Sequence, residues 1–407
     1  MTDVVLIANS GSSSLKFAVY PVANERNGSL IKGKVAGIGR QPVLTALDDN
    51  GAIEATGALK DIPHDANHEW IISELLERLQ SRFSNLNPVA AGHRVVHGGQ
   101  EFTGPVLVDD KVRGTLERFV CLAPLHQPHN LAAIDAIAKL APGMPQVVCF
   151  DTSFHRTQPR LAQLFALPRE LTDEGIIRYG FHGLSYEYIA SVLPMQLGPV
   201  GEGRVIVAHL GNGASMCAMK ERKGVASSMG FTALDGLVMG RRCGTLDAGV
   251  VLHLLKNKGM TPDEVQRMLY QKSGLLGVSG ISNNMRDLEA SAEANAREAI
   301  ELFCYRAVRE IGALAATLGG LDALVFTAGI GENSALVRKL ICQQSAWLGV
   351  DLDEGANATS APCISSKESA VDVHVIPTDE EAVIAAATRD MISTTHNAGA
   401  RRLEAQG

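Results

Sequence analysis

The 407-residue sequence has no CxxC pair and no apolar run approaching the roughly 18 residues of a membrane span. Its seven cysteines (121, 149, 217, 243, 304, 342 and 363) are scattered and odd in number. That pattern excludes a disulfide frame or a CxxC-type zinc site and fits reduced thiols in a cytoplasmic compartment. The N-terminus runs straight into strand-like sequence, so no signal peptide is expected. Positive charge is also short: the formal net charge is −7, which offers nothing to nucleic acid or to an anionic membrane. An anionic substrate therefore has to be met by local basic residues. A GxxxxGK[ST] run opening a helix is missing as well, so a Walker-type phosphate loop is not expected. What remains is a globular composition, 46% hydrophobic and 20% charged, over a length suited to two domains.

The first twenty residues organise the rest. Val4–Ala8 reads as a buried strand. Asn9–Ser14 is small and polar. Leu15, Phe17 and Val19 then alternate with Lys16, Ala18 and Tyr20, the period of a second strand. A Gly/Ser loop between strands can offer backbone N–H groups, hydroxyls and one ammonium to a phosphate, or be a polar hairpin turn. The theme returns at Arg204–Lys220: strand, the small-residue loop Gly211-Asn212-Gly213-Ala214-Ser215, strand. The two apolar strands, beginning at Val4 and Val205, start 201 residues apart, about half the chain. This reads as a duplication, two similar domains each with a phosphate-facing hairpin, closing over a cleft. Chance likeness of two hairpins is the alternative, and Asn-Gly is itself a common turn signal.

Between and after these units the pattern is α/β. Asn67–Phe83 carries an apolar helical stripe. His93-Arg94-Val95-Val96-His97-Gly98-Gly99 is an anion site or a polar loop. The two prolines of Ala123–His129 break the pattern before a helix over 130–140. The strand Gln146–Phe150 runs into Asp151, where α/β proteins bind ligands and where Asp also caps turns. His182, between Gly180 and Gly183, lies open to close backbone approach. A helix follows to about Leu193, ended by Pro194. Ser227–Gly249 is Gly-rich and holds Arg241-Arg242, as an anion-covering loop or a long surface loop. Thr261-Pro262-Asp263-Glu264 is a capping box. Gly274–Gly280 reads as a loop, and Asn284-Met285-Arg286 leads into helical sequence to about Leu318. Strand Leu321–Thr327 enters Ala328–Ser334, where glycines before a helix suit a nucleotide. Asp379-Glu380-Glu381 opens a last helix, where carboxylates usually complement the dipole.

Taken together and in order, NSGSSSLKF, HRVVHGG, APLHQPHN, FDTSFH, YGFHGLSYEYI, HLGNGAS, SSMGFTALDGLVMGRRCGTLD, FTAGIGENS and IPTDEEAVIA resemble the acetate kinase family across essentially the whole chain. This family of acyl-phosphate-forming kinases lies in the superfamily of actin, sugar kinases and Hsp70. The resemblance implies two duplicated ribonuclease-H-like, actin-type ATPase domains around a central cleft. It implies an N-terminal domain over 1–150 with a returning helix over about 382–407, and a nucleotide-binding domain over 151–381. It further implies a homodimer that transfers phosphoryl between ATP/ADP and acetate or another short carboxylate, with Mg²⁺ (Mn²⁺ able to substitute) and without nucleic acid or membrane. Residue by residue, Asn9 and Glu380 would bind the metal, with a slip to Glu381 open. Lys16 would lie near the transferring phosphate, and Arg94 would meet the substrate carboxylate. Val96, Leu125, Phe181 and Ala233 would line its pocket. His126 would sit in the active-site loop, Asp151 would be the catalytic acid, and His182 and Arg242 would stabilise the transition state. His209, Leu210, Gly211, Asn212 and Gly213, then Gly329, Ile330, Gly331, Glu332 and Asn333, would contact the nucleotide. Asn284, Met285 and Arg286 would lie beside the adenosine.

These residue types suit the chemistry. Phosphoryl transfer has a loose, in-line transition state with charge on the equatorial oxygens. Two arginines, a His, a Lys and Mg²⁺ answer that charge. The nucleophile is a carboxylate, already ionised at pH 7, so no general base is needed. Asp151 is therefore expected to organise metal-bound water or phosphate and not to abstract a proton. Several positions depart from the family pattern. Ala233 replaces the usual Pro that lines the methyl pocket, and Asp235, Arg241, Cys243 and Thr245 replace Glu, Thr, Ser and Asp around Arg242. Tyr186 replaces the usual His after His182. A roomier pocket would favour propionate, since one methylene is worth about 1–3 kcal/mol. Three readings follow: an acetate kinase with broad short-chain tolerance, a propionate- or butyrate-preferring kinase, and a non-catalytic ATP-binding switch of the actin/Hsp70 kind. The last expects neither a carboxylate-binding Arg nor the His126/His182 pair. The GIGEN run disfavours pyrophosphate as the donor.

Overall fold

The computed structural model describes residues 1–11, 14–23, 28–38, 43–48, 51–53, 63, 66–82, 85–124 and 126–404. The chain divides into two compact units, Met1–Ser153 with Asp379–Gly407, and Phe154–Thr378.

The first unit is built on β1 (Thr2–Ser10), β2 (Ser14–Pro21), β3 (Ile31–Ala36), β4 (Val43–Asp48), β5 (Gly51–Ile53), β6 (Leu86–Val95), β7 (Val106–Leu107) and β8 (Gln146–Phe150). Among the described residues they form one sheet in the order β5-β4-β3-β2-β1-β6-β8-β7. β1 pairs antiparallel with β2 and parallel with β6, and β6 pairs parallel with β8. The alternation read in the opening stretch arises because Leu15, Phe17 and Val19 bury against Val4, Leu6 and the helix His68–Arg82. The stripe on that helix is real at Ile71, Ile72 and Leu75, while Phe83 lies outside the described residues. The helix Glu380–Glu404 packs on β1, β6 and β8. Gly92 permits this approach: a Cβ there would fall 2.3 Å from Thr388 Oγ1 and 2.7 Å from Ile384 Cγ2.

The second unit carries β9 (Arg204–Leu210), β10 (Ala214–Lys220), β11 (Lys223–Ser227), β12 (Ala323–Thr327) and β13 (Asp372–Val375), ordered β11-β10-β9-β12-β13. β9 and β10 pair antiparallel, as do β10 and β11, while β12 runs parallel to both β9 and β13. This repeats the order and directions of β3-β2-β1-β6-β8. The repeated strand–loop–strand pattern in the sequence thus corresponds to a repeated five-strand topology. Burial of Val205, Val207, Val325 and Leu193 fastens the helix Gly183–Leu197 to this sheet.

Four local expectations need correction. The helix expected from Asn130 begins at Gln127, because Pro128 falls in its first turn, where no N–H is needed. The helix expected to stop at Pro194 runs on to Leu197. Pro194 lies in its last turn and forfeits one bond, and burial of Leu193 and Leu197 holds that turn. Gly274–Ser279 is a short helix, entered through Gly274 at φ 65. Ala328–Asn333 is also helical and is not an open glycine loop. Among the described residues, no helix is long and apolar enough to cross a membrane, and all seven cysteines are free.

Candidate functional site

The sequence-predicted residues divide between the units. In the first, β1 ends on Asn9 and Ser10, both buried, and β2 returns with the exposed Lys16 paired opposite Asn9. Gly11 N donates to Ser14 O at 2.8 Å, which closes the loop. A ring nitrogen of His68 lies 2.8 Å from Gly11 O and holds it from the helix side. Asn130 joins the ends of two strands: its amide donates to Ser10 O at 2.6 Å and its oxygen accepts from Val96 N at 3.1 Å. Gln127 likewise brackets His97, and Thr152 Oγ1 accepts from Gly98 N. His126 is the residue before the helix Gln127–Leu140, and its carbonyl accepts from His129 N and Asn130 N. Val96 is buried, and Leu125 lies outside the described residues.

At the centre of this group is an ion pair. Arg94, from the end of β6, donates through Nε to Asp151 Oδ1 at 2.9 Å and through Nη2 to Asp151 Oδ2 at 2.5 Å. Its Nη1 donates to Asn9 Oδ1 at 3.3 Å. Asp151 is only 2% exposed and Arg94 19%. Asn9 Nδ2 in turn donates to Glu381 Oε1 at 3.1 Å and to Glu380 Oε2 at 3.4 Å. One half-buried cation therefore stands among three carboxylates. Burial pushes the Asp151 carboxyl upward and Glu380 adds to this, while the doubly bonded Arg94 pulls it down. Burial works against the Arg94 charge, but Asp151, Glu380 and Glu381 outweigh it and hold the guanidinium protonated. Asp379 starts the final helix by accepting from Ala382 N, and Lys32 pairs with it at 2.5 Å, which anchors the turn bearing Glu380 and Glu381.

In the second unit His182 takes the left-handed conformation, φ 58 and ψ 27, at the mouth of the helix Gly183–Leu197. Its ring stacks on His209 with centroids 4.2 Å apart, and His209 Nδ1 lies 2.8 Å from Ser185 Oγ. The Gly211–Gly213 loop closes by Gly211 N donating to Gly213 O. A Cβ on Gly213 would sit 3.2 Å from His182 Nε2 and 3.6 Å from Arg242 Nη2, so two side-chain nitrogens converge over this glycine. Arg242 is steadied by donating through Nη1 to Ala233 O at 2.7 Å. Its loop is threaded onto Gly274–Ser279: Leu275 N donates to Met239 O, and Met239 N to Arg242 O. The departures Thr245 and Asp235 are mutual partners at 3.1 Å, and Arg178 pairs with Asp235 at 3.2 Å. Arg241 donates to Asn283, whose amide reaches Asn212 Oδ1 at 3.1 Å, so the loop before Asn284 is tied to Asn212. Asn284 caps the short helix Met285–Glu289 by accepting from Arg286 N, and Met285 is buried.

The Gly329–Asn333 turn is held from behind by a group that sequence reading missed. Arg338 is fully buried and donates to Gly331 O and Glu332 O at 2.9 Å each, and also to Asn357 and Ser360. Phe181, also buried, has its carbonyl 2.9 Å from Nε2 of His155, whose pKa burial lowers to about 4. Ser215 was missed too. It contacts both His182 and Tyr186, which gives the unusual tyrosine a physical setting. A small residue in a loop already read as turn carried no signal for it. Asn130 and His155 were visible only as letters within quoted motifs.

The repeated sheets with a small polar loop after the first strand define a two-domain, actin-like ATPase fold, here with cationic and carboxylate side chains of the kind phosphotransferases use. The Acetokinase family profile matches residues 4–386. An acetate kinase from Rhodopseudomonas palustris is 53% identical over 390 residues, covering 95% of this chain and 97% of that protein. One from Rickettsia felis is 45% identical, covering 95% and 98%. Among solved structures, a propionate kinase from Francisella tularensis superposes with a TM-score of 0.88 at 36% identity, covering 95% of this chain and 99% of that one. The acetate kinase of Porphyromonas gingivalis gives 0.84 at 35%, covering 96% and 100%. The chain belongs to the Acetokinase family.

Proposed function

We propose that this protein is an ATP-dependent acetate kinase, a phosphotransferase with a carboxyl acceptor. It transfers the γ-phosphoryl of ATP directly to a carboxylate oxygen of acetate, giving acetyl phosphate and ADP, and runs the reverse reaction. The observation that carries the reading is Arg94. Three of its five N–H groups are committed to Asp151 and Asn9, which leaves one on Nη1 and one on Nη2 for an incoming carboxylate. The family resemblance gives Val96, Leu125, Phe181 and Ala233 to its alkyl group. Lys16, His182 and Arg242 meet the phosphoryl oxygens as charge builds on them. The Gly211–Gly213 and Gly329–Asn333 turns carry the nucleotide, with Asn284–Arg286 beside the adenosine. Asp151 holds Arg94 in register and takes no proton, because acetate is already ionised.

Mg²⁺ is the metal this site suits. Among the described residues no three His, Cys, Asp or Glu side chains form a metal-holding group. Mg²⁺ needs none, since it takes one or two carboxylates and completes its shell with water and phosphate. Asn9 and Glu380, with Glu381 at similar range of Asn9, supply hard oxygens of that kind. When bound, the ion would neutralise charge on the transferring phosphates. The partner is a second copy of the chain. The helix Ala248–Lys256 (sequence AGVVLHLLK) has no buried residue, with Val250 and Leu252 exposed, and offers an apolar face for it. The net charge of −7 speaks against nucleic acid and anionic membranes, and reduced cysteines support a cytoplasmic setting.

Ala233, where the family usually carries Pro, supports a second reading, a preference for propionate or butyrate. The test is the initial rate of acyl phosphate formation from Mg-ATP, trapped with hydroxylamine, across acetate, propionate and butyrate. Highest kcat/KM for acetate upholds the first reading, and a several-fold advantage for propionate upholds the second. No product from any of the three, with ATP still bound, would overturn both.

A further inference from the structure

We propose that Tyr186 is a positioning residue for His182: through Ser215 it fixes the imidazole as the neutral tautomer with its proton on Nε2, on the side of Gly213. The inference rests on the reading of His182 as a ligand of the phosphoryl group. Ser215, from β10, is wholly buried, with its Oγ 2.8 Å from His182 Nδ1 and 2.5 Å from Tyr186 Oη. These are the hydrogen-bond partners of that hydroxyl among the described residues. Tyr186 is also wholly buried, packed edge-on against the rings of His155 and His209.

The three groups have few protons to arrange, and only one arrangement leaves none stranded. The phenol is a donor throughout the working pH range, because burial, and then the nearby Cys217 thiol, push its ionisation well above the ordinary value. Its neighbouring acceptor is Ser215 Oγ. If Tyr186 donates there, the serine proton turns to His182 Nδ1, which must then be a bare acceptor. The ring proton accordingly sits on Nε2, 3.2 Å from the point where a Gly213 Cβ would be. The opposite arrangement, Nδ1–H donating to the serine and the serine to the phenol, leaves the Tyr186 proton buried without an acceptor, and that costs more than an average bond gains. The left-handed backbone at His182 and the stack on His209 fix the plane of the ring, and the Tyr186–Ser215 pair selects which of its nitrogens is the donor.

The proposal is tested on the full-length protein labelled with ¹⁵N-histidine. His182 is assigned by difference from His182→Gln, and its tautomer is read from long-range ¹H–¹⁵N spectra. The wild type should show a pyridine-type Nδ1 and a protonated Nε2. In Tyr186→Phe the serine is free to donate or accept, so both tautomers should appear. On the scale of one neutral hydrogen bond, kcat should then fall about fivefold, with KM for ATP and for acetate within about twofold. Ser215→Ala should mix the tautomers in the same way and provides a second route should the phenylalanine variant fold poorly. A single Nε2–H tautomer in both variants, or Nδ1–H in the wild type, overturns the relay. Mixed tautomers with unchanged kcat overturn the positioning role. Full activity in His182→Gln would instead overturn the phosphoryl-ligand reading, and the spectra would still decide the relay.

Discussion

Replacing Arg94 by Lys keeps the charge and removes the fork. The arginine makes two bonds to Asp151, at 2.9 and 2.5 Å, and one to Asn9 at 3.3 Å. It keeps two further N–H groups for the substrate. A lysine has three N–H groups on one nitrogen and cannot span both carboxylate oxygens, Asn9 and a second carboxylate together. If it stays with Asp151, the acceptor loses about two charge-assisted bonds, each worth about 1.5–3 kcal/mol. The expected result is a fall of about 10²-fold or more in kcat/KM for acetate, at 1.36 kcal/mol per decade. KM for ATP should stay within about twofold, because no nucleotide contact is assigned to Arg94. Stability should change little, since Asp151 still faces a cation. Arg94→Gln leaves the 2%-exposed Asp151 carboxylate unpaired and should cost about 3–5 kcal/mol in urea unfolding. Steady-state kinetics with acetate and ATP varied separately decide the matter. Equal rises in both KM values, or a loss for acetate below about threefold, would refute the assignment of Arg94 to the acceptor.

Asp151→Asn should lower kcat at every pH without deleting an ionisation from the pH–rate profile; disappearance of one limb would mean that the carboxylate does move a proton. Gly213→Ala brings a methyl to 3.2 Å from His182 Nε2, so the ring or loop must give by a few tenths of an ångström. A loss of about tenfold in kcat with little change in melting temperature is expected, and wild-type kcat would show that the two nitrogens do not act there. His93 and His155 are buried, with pKa values lowered by burial to about 4 from 6.5. The unfolded chain takes up these protons first, so the stability is whole above about pH 6.5 and is lost as pH falls toward 4. Between pH 7 and pH 5 each should cost about 2 kcal/mol, measured by urea unfolding, and a flat stability over that window would contradict their buried, neutral state.

Much of the architecture was legible because it is periodic. The alternation after Lys16 and the small-residue loops at Gly11 and Gly211 mark strand–loop–strand units, and the sheets built on them repeat one strand order. The capping box at Thr261 was legible because it is local: it forms both of its hydrogen bonds, between partners three residues apart. The misplaced boundaries come from residues whose meaning depends on position. Pro128 opens a helix and Pro194 is tolerated in a last turn, while Gly274 enters a helix through a positive φ. The groups that steady the candidate site were harder to find. Ser215 meets Tyr186 across 29 residues and Asn130 meets Ser10 across 120, and no local pattern records such pairs. Arg338 lies inside the helix Ala335–Gln344, and no local pattern marks that it is buried and holds the turn at Gly331. The Tyr186 departure gained a physical reading only once Ser215 lay between it and His182.

The central claim is direct, in-line transfer to a carboxylate that needs no base and no covalent enzyme intermediate. The measurement that meets it head-on is the stereochemical course at phosphorus, using ATP made chiral at the γ-phosphoryl with oxygen isotopes and acetate as acceptor. A single in-line displacement predicts inversion of configuration in the acetyl phosphate. Net retention would require two displacements through a phosphorylated side chain and would contradict the account.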